Sequence, residues 1–244
     1  MPLPDLSGLY IITGNYGSGK TEVSVNMALS GRAAGKEVRI ADLDLVNPYF
    51  RTREAKSPLR AAGIDVILPD EGWLNADLPI LTPRVAGVIR RPSELTILDV
   101  GGDDVGATVL AALSAALQQI PPDIPVHIAQ VVNPHRPYTD TPEGAIAIGR
   151  EIETAARIRI TGYIGNANLI DETTASVIMD GHRFMTDLAR KADLPLLFIT
   201  VPEPLAAKPD RGDISCPVLP IRRQMTPPWA KGTPPRPADR SRKA

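Results

Sequence analysis

Apolar residues along this chain of 244 residues come in two textures. Short runs are apolar almost throughout, and between them lie longer stretches in which apolar positions recur every three or four residues. Unbroken runs of this length suit strands buried on both faces, and the longer period suits helices packed against them. The runs are LYIIT (9–13), VRIADL (38–43), IDVILP (64–69), LTILDV (95–100), VHIAQVV (126–132), ITGYIGN (160–166) and PLLFITV (195–201). Helical patterns fall between most of them, near 20–34, 83–91, 107–119, 142–157 and 173–192, with punctuation such as IPPDIP at 120–125. This order predicts a doubly wound α/β domain, a mainly parallel sheet of about seven strands between two helical layers. Ligands in such folds sit beyond the carboxyl ends of the strands, so the strand tails are where chemistry is to be sought.

Composition narrows the classes. With 43% hydrophobic and 23% charged residues, the chain suits one sizeable core, taken as residues 1–221. A net charge of −1 and an aromatic content of 4% argue against a nucleic-acid partner. Residues 222–244 differ: seven Lys/Arg against Asp239 give +6, leaving −7 for residues 1–221, and five prolines interrupt them. That segment reads as a flexible basic tail, with too much proline for an amphipathic membrane helix. Cys216 is the single cysteine, which excludes an intrachain disulfide and a multi-cysteine metal site. His127, His135 and His182 are scattered and form no transition-metal pattern, and His127 reads as a core residue. The opening MPLPDLSGLY lacks a basic region followed by an apolar run, so no membrane partner and a cytoplasmic setting are expected.

The first strand leads into Gly14, Asn15, Tyr16, Gly17, Ser18, Gly19, Lys20 and Thr21, a Gly-x-x-x-x-Gly-Lys-Thr loop followed by a helical run. Its glycines let successive amide N–H groups turn toward anionic oxygens, and the helix start adds its positive dipole end. Lys20 is placed for the β and γ phosphates and the Thr21 hydroxyl for Mg²⁺. The context of strand before and helix after makes accident remote. Nucleoside triphosphate binding is the strongest expectation from sequence.

Phosphoryl chemistry also needs carboxylates near the metal. LTILDVGGDD places Asp99 at a strand end, followed by Gly101 and Gly102, whose amide could approach the γ phosphate. IADLDLVNPYFRTRE supplies Asp42 and Asp44, two apart and on one side of an extended strand. Asp44 is the better candidate to orient water or assist the metal, and Asp42 reads equally as a cap for the neighbouring loop. Asp103 and Asp104 begin a helix, where a carboxylate is stabilising by itself. Arg51 and Arg53 read as solvated; Arg136, at another strand end, is a weaker phosphate candidate. PDEGWLNADLPILTPR (69–84) could line an acceptor pocket or bind a partner, and Trp73 suits either.

GNYGSGKT, DLDLVNPYFR, LDVGGDD and GYIGNANL, in this order, resemble the MinD/ParA and cobyrinic-acid-synthase-related (SIMIBI) branch of P-loop NTPases. Within it, they are similar to a sparsely described group of bacterial ATP-binding proteins. The resemblance covers about residues 8–205. It implies ATP with Mg²⁺, often a nucleotide-dependent homodimer, adenine contact by Asn166 and a flank to the base around Pro202. Asn166 reads equally as a turn residue. Members with the deviant loop carry a lysine directly after the first glycine; here Asn15 stands there, so a face-to-face sandwich would need another residue in trans. Relatives without that lysine include GTPase metallochaperones and ligases such as dethiobiotin synthetase. No Asn-Lys-x-Asp pattern for guanine is present, so ATP is expected over GTP. The function expected is a Mg-dependent ATPase switching a protein partner, through the loops at 44–53 and 100–106. The alternatives are a ligase or kinase acting on a small-molecule acceptor, a GTPase accessory factor, and a scaffold that binds ATP without turnover.

Overall fold

The computed structural model describes residues 2–44, 55–68, 83–101, 111, 113, 116–207 and 214–225. Eight strands form one sheet: β1 (Gly8–Thr13), β2 (Val38–Leu43), β3 (Asp65–Ile67), β4 (Leu95–Val100), β5 (Val126–Val132), β6 (Gly162–Gly165), β7 (Leu196–Pro202) and β8 (Val218–Ile221). Their order is β3-β2-β4-β1-β5-β6-β7-β8, and every pairing is parallel. Helices α1 (Lys20–Ala33), α2 (Lys56–Ala61), α3 (Pro83–Arg90), α4 (Pro142–Ala156), α5 (Ala175–Ala192) and α6 (Glu203–Ala206) connect them. No helix among the described residues is long and apolar enough to cross a membrane.

The unbroken apolar runs have a direct cause. Successive side chains of a strand point to opposite faces, and here both faces are covered. In β1, Tyr10 and Ile12 enter one core cluster with Val25, Ile40 and Ile97, while Leu9 and Ile11 enter another with Ala41, Leu98 and Ile128. Caps set the helix starts: the Thr141 hydroxyl accepts from Gly144 N at 3.1 Å, and Thr174 accepts from Val177 N at 3.3 Å.

Seven of the strands lie at the expected runs; β8 is an addition. It is four residues long and contains Pro220, which suits the sheet edge it occupies, because a proline cannot donate to a further ladder. The short α2 and α6 are likewise additions, and of the helix expected at 107–119 the described residues 111, 113, 116 and 117 are helical.

Residues 222–225, placed with the tail by composition, are pinned to α1. The Glu22 carboxylate accepts from Gln224 N at 2.6 Å, Met225 N at 3.0 Å and Asn26 Nδ2 at 3.0 Å, and Arg222 N donates to Asn26 Oδ1 at 2.9 Å. Burial raises the Glu22 carboxyl above its ordinary range despite those donors. Residues 226–244 lie outside the described residues. Cys216 is buried beside β8, and burial raises its thiol. Next to it, Ser215 N donates to His182 Nε2 at 3.3 Å. His127 is half-buried rather than central, its ring stacked on Tyr10 at 4.5 Å; burial lowers its imidazole and pushes the Tyr10 hydroxyl to about 12.

Candidate phosphate-binding site

Between the end of β1 and the start of α1 the chain must reverse in six residues, and three glycines allow it. Gly14, Gly17 and Gly19 have φ of 138°, 73° and 92°, a region that side-chain-bearing residues rarely enter. Space adds a second requirement at two of them. A Cβ at Gly14 would run into the Val131 carbonyl oxygen on β5, and one at Gly19 into Asn166 Nδ2 beyond β6. The loop thus sits on the ends of its neighbouring strands with no room between.

The interior of the loop is polar. Ser18 N donates to Asn15 O at 3.2 Å, closing a turn, and Asn15 Oδ1 accepts from Tyr16 N at 2.8 Å. Lys20 and Thr21 are each 8% exposed. Lys20 Nζ donates to the carbonyls of Gly14 at 3.1 Å and Asn15 at 3.0 Å, which holds the ammonium against the loop at the helix start. Gly19, the N-cap, has no side chain to offer the first-turn amides, the usual arrangement at an anion-binding helix start. Ser18 Oγ is buried with no hydrogen-bond acceptor or donor among the described residues. Tyr16, by contrast, projects outward, 73% exposed.

Carboxylates gather on one flank. Asp42 of β2 lies in register with Asp99 of β4, and both are 1% exposed. Parallel register partners face the same side of a sheet, so the two carboxylates are neighbours. Ser24 Oγ, one turn into α1, donates to Asp99 Oδ1 at 3.2 Å. Asp42 Oδ1 accepts from Asp44 N at 3.1 Å, the local capping contact allowed for in its sequence pattern, and Asp44 is also buried.

Amides gather on the other flank. Asn166 Nδ2 donates to Ser18 O at 2.7 Å, and its Oδ1 accepts from Thr200 Oγ1 at 2.6 Å. In the turn after β5, Asn15 Nδ2 donates to Pro137 O at 3.0 Å, Arg136 Nε donates to Gly17 O at 3.1 Å, and Asn133 Nδ2 donates to Asn168 O at 3.0 Å. The tails of β1, β5 and β6 are therefore laced together. Pro202 ends β7 on the same side and caps α6.

Of the residues singled out in the sequence, Gly14 to Thr21, Asp42, Asp44, Asp99, Asn166 and Pro202 all lie at the carboxyl edge of one sheet. Gly102, Asp103, Asp104, Arg51, Arg53 and Trp73 lie outside the described residues. Sequence reasoning missed Ser24, Asn133 and Thr200. Ser24 had a signal, since it follows Thr21 by three and Lys20 by four and so shares their face of α1. Asn133 ends its strand as Asn166 does, a parallel that could have been read; Thr200 offered none.

The site fits a nucleoside triphosphate with a hard cation. The loop is closed to a Cβ at Gly14 and Gly19, it holds a buried ammonium and an orphaned buried hydroxyl, and among the described residues the side chains on its acidic flank that could ligate a metal, Thr21, Asp42, Asp44 and Asp99, offer oxygen. Thr21 and Asp99 would hold Mg²⁺, an ion that binds through one or two protein oxygens together with substrate phosphates.

No protein-family model matches the chain. It is 27% identical over 181 residues to the cytosolic Fe-S cluster assembly factor NUBP2 of Bos taurus, a match covering 64% of each chain. Among solved structures, the cell division protein FtsY of Thermotoga maritima superposes with a TM-score of 0.52 at 20% identity, over 82% of this chain and 64% of that one. The signal recognition particle 54 kDa protein of Aeropyrum pernix, in complex with GDP, gives 0.50 at 16% identity, over 80% and 42%. At these identities the two solved structures speak to the fold. This chain spans somewhat under two thirds of the length of NUBP2 and of FtsY, 64% in each case.

Proposed function

We infer, starting from a chain that is a nucleotide-binding P-loop protein of the SIMIBI class, that its ligand is ATP with Mg²⁺ and that hydrolysis switches it between two states toward a protein partner. The observation that carries this is the buried Lys20 and Thr21 at the start of α1, facing the phosphate loop, with Asp99 tied to the same helix through Ser24. Loop amides and the Lys20 ammonium would grip the β and γ phosphates; the Thr21 hydroxyl and Asp99 would hold the metal. The metal held there would supply neutralisation of charge developing on the phosphates. Asp44, at the tail of β2, would orient the attacking water. The switch reading is supported by position: β2, which is followed by Asp44, and β4, which carries Asp99, run directly into the segments at 44–53 and 100–106. ATP is favoured over GTP because the tails of β5 and β6 offer asparagines and no Lys-x-Asp pair.

A homodimer closing over nucleotide would need a cation other than the lysine replaced by Asn15, whose amide is spent on Pro137 O. Fe–S assembly, the role in the name of the bovine relative, calls for cluster thiolates. Cys216 is the single cysteine here, and it is buried with a raised thiol pKa, so the nucleotide module is what the two chains would share.

Calorimetric titration of the full chain with ATP and with GTP, each with and without Mg²⁺, tests this reading. Magnesium-dependent uptake of ATP with weaker uptake of GTP is expected. Equal or tighter GTP binding overturns the choice of base, and no uptake of either overturns the whole.

A further inference from the structure

Among the described residues, one cation beside the loop is only partly engaged. Arg136 lies in the turn after β5, and its Nε donates to Gly17 O at 3.1 Å. The turn is well held: Arg136 N donates to Asn133 O at 3.1 Å, Thr139 Oγ1 to Asn133 O at 2.8 Å, and Asn15 Nδ2 to Pro137 O at 3.0 Å. The side chain is exposed, and its Nη1 and Nη2 have no hydrogen-bond acceptor and no carboxylate among the described residues. An exposed guanidinium held by its Nε over Gly17, with four N–H groups lacking an acceptor among the described residues, is placed to receive something.

Two facts decide which end of the nucleotide that is. The first is the sheet order. Strands β4 and β2, with Asp99 and Asp42, lie on one side of β1, and β5 lies on the other. A metal-bound γ phosphate belongs with the carboxylates, so the nucleoside end must extend toward β5, β6 and β7. The second is the peptide between Gly17 and Ser18. Its N–H points inward to Asn15 O, and in a trans peptide the carbonyl points the opposite way. Arg136, on that carbonyl, is outside the turn, whereas Lys20 holds the carbonyls of Gly14 and Asn15. The two cations are therefore on different sides of the same turn, with Lys20 on the side where phosphates would sit.

We propose that Arg136 holds the nucleoside of the bound nucleotide, its guanidinium plane packing on the purine rather than clamping phosphate. A guanidinium is planar, weakly hydrated and stacks on aromatic faces, and a chain with 4% aromatic residues has few other surfaces for a base. The proposal rests on the nucleotide reading above and adds a positioning residue to it.

The test titrates full-length wild type, Arg136→Ala and Arg136→Lys with Mg²⁺ and each of ATP, ADP and inorganic tripolyphosphate. Arg136→Ala is expected to weaken ATP and ADP alike, by about tenfold, and to leave tripolyphosphate within about twofold. Arg136→Lys, which restores charge without the plane, is expected to recover only a minor part of the loss. An equal loss for tripolyphosphate makes Arg136 a phosphate clamp or a support of the loop and overturns the proposal, as does full recovery with lysine. Unchanged ATP binding in Arg136→Ala overturns it while leaving the nucleotide reading intact; failure of the wild type to bind ATP sinks that reading first.

Discussion

The two flanks of β1 are built from different chemistry. On the β4 and β2 side are buried carboxylates, Asp99 and Asp42 in register with Asp44 close behind. On the β5 and β6 side are neutral amides, Asn133 and Asn166, with Asn15 reaching across from the loop itself. Buried carboxylates are costly unless compensated, and here Asp99 Oδ1 accepts from Ser24 Oγ and Asp42 Oδ1 from Asp44 N. Amides can be fully satisfied inside the protein, and Asn166 gives one contact to Ser18 O and takes one from Thr200 Oγ1.

That contrast can be broken at its centre. Lys20→Ala removes the ammonium that bonds the Gly14 and Asn15 carbonyls, and triphosphate affinity should fall roughly hundredfold or more while the melting temperature stays near that of the parent; calorimetry and a thermal melt together read this. Asp99→Asn, on the acidic flank, should lower turnover roughly hundredfold with a much smaller change in ATP affinity. Asp44→Asn should behave alike with a smaller loss, and turnover equal to the parent would remove either residue from the mechanism.

Asn166→Ala, on the amide flank, should show the reverse pattern. It removes the Asn166 contacts of Ser18 O and of the Thr200 hydroxyl, which keeps only its longer bond to Gly165 O, a cost of about 2 kcal/mol in chemical denaturation. The smallest effect is expected at Glu22, away from both flanks. Its folded carboxyl is raised, so just above the ordinary carboxylate range the native state keeps a proton that the unfolded chain has released, and stability falls as pH rises through that window. Glu22→Gln should flatten that fall in denaturation curves taken across the window. At neutral pH it should cost about 1 kcal/mol, because Gln224 N and Met225 N donate to different carboxylate oxygens and the amide replaces one of them with an NH2 group that cannot accept.

Much of this was legible in the residues. The seven apolar runs and the glycine spacing from 14 to 19 carry their own local causes, burial on two faces and forbidden φ, and they were read where they stand. What escaped depended on distant packing. Strand β8 is only four residues with a proline, and it becomes a strand because β7 offers an edge. Residues 222–225 look like tail until the Glu22 carboxylate is seen to collect their amides. Asn166 stood out in the sequence for its place at the end of the sixth apolar run, yet its bond to Ser18, 148 positions away in the chain, has no trace in local pattern.

The buried Cys216 has a practical consequence. Because no other thiol is present and this one is shielded beside the last strand, a thiol-specific dye should stay unreacted until that edge of the sheet opens. Labelling kinetics with and without nucleotide would then time the breathing of the far edge, a clock supplied by the native chain without any engineered probe.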